Sequence, residues 1–195
     1  MRIFLFSHID NPPKLVLRGT VLYIPAEEKL NRDYSKKESQ FKAMGFDKVI
    51  VYPIGYFYDD TINKRELFNS VHAVCLGGGN TILFNYLLKK RGLYPYIIEA
   101  ARQNKFIIGI SAGGIVLSPT VAFAIDVDGN PLDENDFSAM NILPFVPKPH
   151  YNKYVAFEHR CKWFEKYSGK KIVRFTDDEY VMFDGNEYYK IKLEV

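Results

Sequence analysis

Five short apolar runs alternate with longer amphipathic segments over the first 111 residues, and this alternation constrains the fold more than any other feature. The runs, rich in β-branched and aromatic residues, lie at residues 2–7, 21–25, 48–54, 73–78 and 106–111. Helical candidates lie between them, at about residues 33–44, 63–70, 80–91 and 94–104. Runs that are apolar on both faces are typical of parallel strands covered by helices on both sides. The alternation therefore predicts a doubly wound α/β domain with a mostly parallel sheet.

The rest of the chain has a different pattern. Residues 119–150 contain many prolines and glycines and predict strands and loops. A helix is predicted at about residues 155–167, followed by a strand at residues 171–176. Residues 179–193 predict a C-terminal β-hairpin that turns at Asp184-Gly185-Asn186.

Length and composition limit the classes of protein to which the chain can belong. A length of 195 residues favours a single domain, residues 1–195, with 47% hydrophobic residues to form its core. The net charge of +3 is mild and the basic residues are scattered, which argues against a nucleic-acid partner. No apolar run approaches the roughly 20 residues of a membrane span, and the N-terminal run is too short for a signal peptide. We therefore expect a soluble cytoplasmic protein without a membrane partner, with Cys75 and Cys161 as reduced thiols. Nothing in the sequence indicates the oligomeric state.

The fifth apolar run ends in the motif GISAG, residues 109–113, which we call the elbow. In doubly wound sheets the ligand sits beyond the carboxyl ends of the strands, so Ser111 lies where chemistry is expected. Glycines two positions before and after a serine let the strand turn sharply into a helix and project the hydroxyl above the sheet. The backbone N–H of Ala112 is then placed to bind an oxyanion. The motif predicts that Ser111 is a nucleophile rather than the cap of an ordinary turn.

A second glycine-rich turn, LGGGNT at residues 76–81, ends the fourth strand. It lacks the third glycine of a dinucleotide fingerprint, and no Gly-Lys-Ser/Thr follows, so we expect no nucleotide cofactor. Gly78 or Gly79 could instead bring a second backbone N–H to the oxyanion. The alternative is a plain strand-to-helix turn with Asn80 or Thr81 as the N-cap.

A serine nucleophile needs a base, and the chain contains four histidines. His150, in the segment PKPHY, is the preferred candidate because the prolines fix its approach. His8 remains a competitor because it follows the first strand at the ligand-binding edge. His72 precedes its strand at the opposite edge, and His159 lies on a predicted helix.

Carboxylates between Ser111 and His150 are the candidates for the group that orients the base. Asp126 closes the apolar run VAFAI, which makes it the one best suited to burial beside an imidazole. The segment DVDGNPLDEND resembles a calcium loop only loosely. Because it lacks the closing glutamate and the flanking helices of an EF-hand, we predict no metal site.

The ordered set LGGGNT, GISAGG, SPT, ID, NILPF and KPHY resembles the dipeptidase E family of serine peptidases, with cyanophycinase as a more distant relative. The resemblance implies a flavodoxin-like, class I glutamine amidotransferase-like fold, which is a three-layer α/β/α sandwich. It implies a triad of Ser111, His150 and Asp126, with Gly79 and Ala112 at the oxyanion hole. Family members cleave short peptides, typically dipeptides with an N-terminal aspartate, through an acyl-enzyme, and need no metal.

Further candidates and alternatives accompany this hypothesis. Gly78, Asn80 and Arg160 are the candidates for substrate binding. An esterase or other acyl hydrolase is an alternative, because the chain order Ser-Asp-His agrees with it, although the length argues against it. A catalytically silent protein that binds a small ligand on the same fold is another. A glutaminase is disfavoured because the elbow carries serine where those enzymes use cysteine.

Overall fold

The computed structural model describes residues 1–10, 12–13, 15, 17–27 and 33–193, which form an α/β fold. The strands within these residues are β1 (Arg2–Phe6), β2 (Thr20–Ile24), β3 (Lys48–Val51), β4 (Ala73–Leu76), β5 (Phe106–Ile110), β6 (Val146–Lys148), β7 (Ile172–Arg174), β8 (Glu179–Phe183) and β9 (Tyr188–Lys192). The α-helices are α1 (Ser35–Ala43), α2 (Lys64–Ser70), α3 (Thr81–Lys90), α4 (Tyr94–Arg102), α5 (Ala112–Ile115), α6 (Ile125–Asp128) and α7 (Glu158–Ser168). The predicted βαβα alternation is confirmed, with boundaries close to those expected.

A seven-stranded sheet in the order β3-β2-β4-β5-β1-β8-β9 forms the centre of the molecule. The first five strands in this order are parallel, so their carboxyl ends lie at one edge. The hairpin β8–β9 continues the sheet antiparallel to β1. Its turn is closed by the carboxylate of Asp184, which accepts the N–H groups of Asn186 and Glu187. The mostly parallel sheet and the C-terminal hairpin are therefore as predicted.

Side chains alternate between the two faces of the sheet and form two core layers. Ile3 and Leu5 of β1 pack with residues of α2, α3 and α4 on one face. Phe4 and Phe6 pack with Phe41 of α1 on the other face. Helices thus cover both faces, which is the predicted α/β/α layering, and this explains why β4 is buried at every position.

Asparagine side chains start two of the helices. Asn80 accepts a hydrogen bond from the backbone N–H of Leu83 at 2.9 Å and so caps α3. This is the strand-to-helix turn with Asn80 as the N-cap that the sequence offers as an alternative. Asn63 does the same for α2, through the N–H of Glu66 at 3.3 Å. Both caps satisfy N–H groups that have no partner inside the helix.

The segment between the elbow and His150 differs from the prediction of strands and loops. A 3₁₀ turn at Ala122–Ala124 leads directly into α6. Val121 and Ala124 are the buried residues of this run, and their spacing of three is the spacing of a helical face. Asp126 consequently lies on a partly exposed helical turn rather than at the end of a buried strand.

A two-stranded parallel sheet of β6 and β7 lies beside the main one. Helix α7 packs on it through Cys161, which is buried with Val146 of β6 and Ile172 of β7. Both cysteines of the chain are buried free thiols. The small sheet matters for the site because β6 ends two residues before His150.

Arg174, at the end of β7, fastens the small sheet to α7. Its guanidinium lies 2.8 Å from a carboxylate oxygen of Glu158 and 2.9 Å from one of Glu165. Planar guanidinium groups pair well with carboxylates in this manner, so Arg174 ties two turns of α7 to β7. None of the helices in the described ranges combines the length and apolar character needed to cross a membrane.

Candidate active site

Ser111 lies between β5 and α5 in a backbone conformation that few residues adopt, with φ of 50° and ψ of −113°. Its N–H donates to the carbonyl oxygen of Phe6 at 2.8 Å, and its own carbonyl accepts the N–H of Gly114 at 2.9 Å. The strand therefore turns into the helix within one residue, at the carboxyl edge of the parallel strands.

The glycines around Ser111 make this turn sterically possible. A Cβ on Gly113 would lie 2.0 Å from the carbonyl oxygen of Leu76. A Cβ on Gly109 would lie 2.5 Å from the Cα of Gly114. Neither glycine can carry a side chain here, because the atoms it would meet belong to the backbone.

The glycine-rich turn after β4 lies beside the elbow. A Cβ on Gly78 would be only 3.3 Å from the Cβ of Ser111, so bare backbone faces the serine. A Cβ on Gly79 would meet a neighbouring glutamate side chain at 2.6 Å. Asn80, proposed from the sequence to bind substrate, caps α3 and donates its amide to the carbonyl of Asp128 at 2.6 Å. Both ends of the Asn80 side chain are thus engaged within the protein.

A buried hydroxyl fixes the backbone of His150, which is left-handed with φ of 55° and ψ of 30°. The N–H of His150 donates to Oγ of Ser7 at 2.9 Å. The Ser7 hydroxyl, which is 2% exposed, donates in turn to the carbonyl of Thr176 at 3.0 Å. Ser7 therefore joins three segments that follow β1, β6 and β7.

The imidazole of His150 is held by Asp177, whose Oδ1 lies 2.5 Å from Nδ1. The other carboxylate oxygen of Asp177 lies 2.7 Å from Nζ of Lys153. Burial by itself raises the pKa of Asp177, but hydrogen bonds with Lys153 and His150 outweigh it and bring the pKa to about 2. An ionised carboxylate only accepts hydrogen bonds, so Nδ1 carries the proton and the lone pair of Nε2 is free to act as a base.

Burial lowers the pKa of His150 below its ordinary value of 6.5, and this outweighs the raising effect of Asp177. The imidazole is therefore neutral at neutral pH, the form in which it can accept a proton. The ring of His8 stacks beside it, with centroids 6.4 Å apart and an angle of 19° between the planes. A positive charge on His8 lowers the pKa of His150 further. The two histidines that compete in the sequence are thus neighbours.

The carboxylate predicted from the sequence, Asp126, does not hold the imidazole. Its Oδ2 lies 2.7 Å from Nη1 of Arg160, and both side chains are nearly half exposed. The predicted pair of Asp126 with His150 is therefore replaced by the pair of Asp177 with His150. The physical reason is the helical turn of α6, which directs Asp126 toward α7.

Arg160, the predicted substrate-binding arginine, also lies away from the serine. It sits on α7, where its guanidinium is paired with Asp126 and lies 5.1 Å above the ring of Phe157. Together with Trp163 it lines a groove on the outer side of α6. The structure thus places Arg160 outside the cavity that contains Ser111.

Ser111 and His150 line the same cavity, which has a volume of about 180 Å³. The charged residues that line it are Lys148 and Asp128. The carboxylate of Asp128 accepts the N–H of Thr81 at 2.8 Å. Most of the remaining wall is apolar or aromatic, with contributions from Ile115, Phe123, Ala124, Val127, Pro149 and Tyr154. A small cavity of this composition can enclose the reacting part of a small substrate and exclude water from it.

Sequence reasoning missed two residues of this site, Asp177 and Lys148. Asp177 does not lie between Ser111 and His150, where the sequence predicts the orienting carboxylate. It lies three residues after the end of β7, so the rule that ligands bind beyond strand ends would have found it. Lys148 carries no such signal, since a lysine between two prolines gives no indication of burial.

Comparison with known proteins adds an independent finding. The model of Peptidase family S51 matches residues 11–191 of the chain. The uncharacterized peptidase Lmo0363 of Listeria monocytogenes serovar 1/2a is 32% identical over 113 residues, which cover 56% of this chain and 55% of that protein. Peptidase E of Shewanella oneidensis is 34% identical over 97 residues, covering 50% and 40%. The chain thus spans about half the length of these curated relatives.

A solved structure supports the fold. The crystal structure of a candidate peptidase E protein from Listeria monocytogenes EGD-e superposes with a TM-score of 0.78. The alignment covers 99% of this chain and 98% of that one, at 20% sequence identity. At this level of identity, the similarity concerns the arrangement of the backbone.

Proposed function

Because the chain belongs to Peptidase family S51, we propose that it is a serine peptidase that hydrolyses dipeptides or other short peptides. The observation that carries the proposal is that Ser111 and a carboxylate-held His150 line one cavity. Ser111 sits on a strained turn that only glycine neighbours permit, which is how a nucleophile is exposed above a sheet. His150 is neutral and presents Nε2, as a general base requires.

In the proposed reaction, Oγ of Ser111 attacks the carbonyl carbon of the peptide bond while Nε2 of His150 takes the hydroxyl proton. The bond from carbon to nitrogen then breaks, His150 gives the proton to the leaving amine, and the acyl group stays on Ser111. Water deprotonated by His150 hydrolyses this ester and restores the enzyme. The backbone N–H of Ala112 and one from Gly78 or Gly79 stabilise the oxyanion in both steps.

We propose Asp177 as the third member of the triad in place of Asp126. Asp177 contacts Nδ1 and stays ionised, so it fixes the reactive tautomer and stabilises the imidazolium that forms during proton transfer. Asp126 is engaged with Arg160. The proposed triad then follows the chain order Ser111, His150, Asp177.

The cavity of about 180 Å³ has room for a small acyl group, as in a dipeptide. An N-terminal aspartate is the preferred first residue by the family resemblance. The test is hydrolysis of dipeptides with acidic, neutral and basic N-terminal residues, beside a matched ester series, by the wild type and Ser111→Ala. Ser118→Ala is the matched control, because Ser118 is a buried serine outside the cavity.

The expected result is peptide hydrolysis that Ser111→Ala lowers by on the order of 10³-fold or more and that Ser118→Ala retains. Labelling of Ser111 by a fluorophosphonate probe is expected in the wild type and absent in Ser111→Ala. Hydrolysis of the esters but of none of the peptides would assign the site to an esterase. Hydrolysis that survives Ser111→Ala would refute the proposed nucleophile.

A further inference from the structure

Lys148 is a buried cation in the wall of the cavity that contains Ser111 and His150. It is the last residue of β6, and only 6% of its surface is exposed. Lysine is among the residues least often buried to this degree unless it is paired with an acid. The buried charge of Lys148, two residues before His150, therefore requires an acidic partner.

Aromatic rings, and not carboxylates, surround the ammonium group. Nζ lies 4.3 Å from the centroid of the Tyr154 ring and 5.3 Å from that of Phe123, and both rings line the same cavity. Within the part of the chain that the structure describes, Lys148 forms no ion pair within 4.0 Å. Rings stabilise a cation through their faces but accept none of its three N–H donors in the way a carboxylate does.

The nearest acidic groups act on Lys148 only at a distance. Asp128 and Asp126 raise its pKa, but the first accepts the N–H of Thr81 and the second is paired with Arg160. The thiol of Cys161 is also close, and burial raises its pKa, so at neutral pH it carries no charge. Burial is the largest influence on Lys148 and lowers its pKa, as expected of an ammonium without a contacting anion.

We propose that Lys148 binds a carboxylate of the peptide substrate and so determines the preference for substrates that carry this charge. The inference rests on the proposed function and adds the residue that would read the substrate. A carboxylate in the cavity supplies the anion that the protein itself does not place there, and the aromatic walls keep the pair away from water, which strengthens it. The carboxylate belongs either to the side chain of an N-terminal aspartate or to the C-terminus of the dipeptide.

The experiment compares the wild type, Lys148→Met, Lys148→Arg and Lys166→Met. Methionine keeps the length and apolar stem of lysine and suits an aromatic surrounding, so folding is expected to survive, and melting temperatures check this. Lys166 is the matched control, because its Nζ also lies above an aromatic ring, that of Tyr167, but on the outside of α7. Lys148→Arg keeps the charge and tests rescue.

Two substrate pairs distinguish the two sources of the carboxylate. Asp-Leu against Asn-Leu removes only the charge of the side chain, and Ala-Leu against Ala-Leu amide removes only that of the C-terminus. We expect the wild type and Lys166→Met to prefer the charged member of one pair by about 10- to 100-fold in kcat/KM. Lys148→Met is expected to abolish that preference, and Lys148→Arg to retain part of it.

A binding measurement separates this inference from the proposed function. Calorimetry with Ser111→Ala and with Ser111→Ala/Lys148→Met gives the dissociation constants of both substrate pairs without turnover. Tighter binding of the charged than of the neutral ligand, seen only when Lys148 is present, supports the inference even if no peptide is hydrolysed. A lack of hydrolysis by the wild type would refute the peptidase proposal alone. Equal losses for charged and neutral substrates, or a preference that survives Lys148→Met, would overturn the inference and leave the peptidase intact.

Discussion

The backbone N–H of His150 donates to the hydroxyl of Ser7 at 2.9 Å, across a sequence separation of 143 residues. Ser7 is buried, and its own proton goes to the carbonyl of Thr176. A single hydroxyl thus connects the main sheet to the segment that carries the base and to the segment that carries Asp177. Because the left-handed backbone of His150 is unusual for a residue other than glycine, this hydrogen bond is one of the contacts that maintain it.

Ser7→Ala is expected to lower kcat/KM by about ten-fold or more, because the imidazole loses its backbone anchor and its orientation toward Ser111. The loss of a buried hydroxyl with two hydrogen bonds also destabilises the fold by about 1–3 kcal/mol. Ser118→Ala is the control, since Ser118 is equally buried and also donates one hydrogen bond and accepts one. Both variants should lower the melting temperature, but a similar loss of activity in both would show that Ser7 has only a structural role.

Asp177→Asn is expected to reduce kcat on the order of 10²- to 10⁴-fold, because the amide no longer stabilises the imidazolium or fixes its tautomer. Asp126→Asn is expected to change kcat by less than about three-fold, since its partner Arg160 forms a half-exposed ion pair of little energetic value. Steady-state kinetics on one good dipeptide decides between the two carboxylates. The reverse order of the two losses would restore Asp126 to the triad.

The pH profile of kcat/KM should have its acid midpoint below 6.5, because burial lowers the pKa of His150 and the enzyme is active when this base is neutral. His8 and Lys153 lower that pKa further, whereas Asp177 raises it. His8→Gln should therefore move the acid midpoint to higher pH, since it removes the electrostatic effect by which His8 lowers the pKa of the base. His159→Gln, on α7, should leave the midpoint in place, and an equal movement in both variants would contradict this account.

Gly113→Ala and Gly114→Ala should differ sharply although the two glycines are adjacent in α5. A Cβ on Gly113 would lie 2.0 Å from the carbonyl oxygen of Leu76, so this variant should lose at least about 3 kcal/mol of stability or fail to fold. A Cβ on Gly114 would lie 3.4 Å from a methyl group of Leu5, and this variant should stay within about 1 kcal/mol of the wild type. Chemical denaturation measures both, and equal stabilities would mean that the elbow is less tightly packed than the structure shows.

The sequence predicts most of the fold because the signals are local. Apolar runs, turn residues and the asparagine before α3 each act within a few residues, and their predicted effects appear in the structure. The motif of the elbow is also local in sequence, although the atom that excludes a side chain from Gly113 belongs to Leu76 of β4. The segment from Val121 to Asp128 differs from the predicted strands and loops because five apolar residues fit a strand and a helical turn equally well.

The rest of the site could not be predicted because it depends on how two sheets meet. The pairing of His150 with Asp177 arises only when β6 and β7 lie side by side, and no periodicity in the sequence specifies that. The burial of Lys148 likewise follows from rings contributed by Phe123 and Tyr154. The orientation of Asp126 could not be predicted either, because adjacency to an apolar run does not reveal which way a helical turn will face.

The nucleophile and its base are completed at different points of the polypeptide. Within the described residues, the backbone hydrogen bonds of Ser111 and the atoms that exclude side chains from its neighbouring glycines involve no residue later than Ile115. The base needs Thr176 and Asp177, which a ribosome adds more than sixty residues after Ser111. On the proposed function, a nascent chain that has not yet reached Asp177 cannot cleave peptides, because its serine has no oriented base.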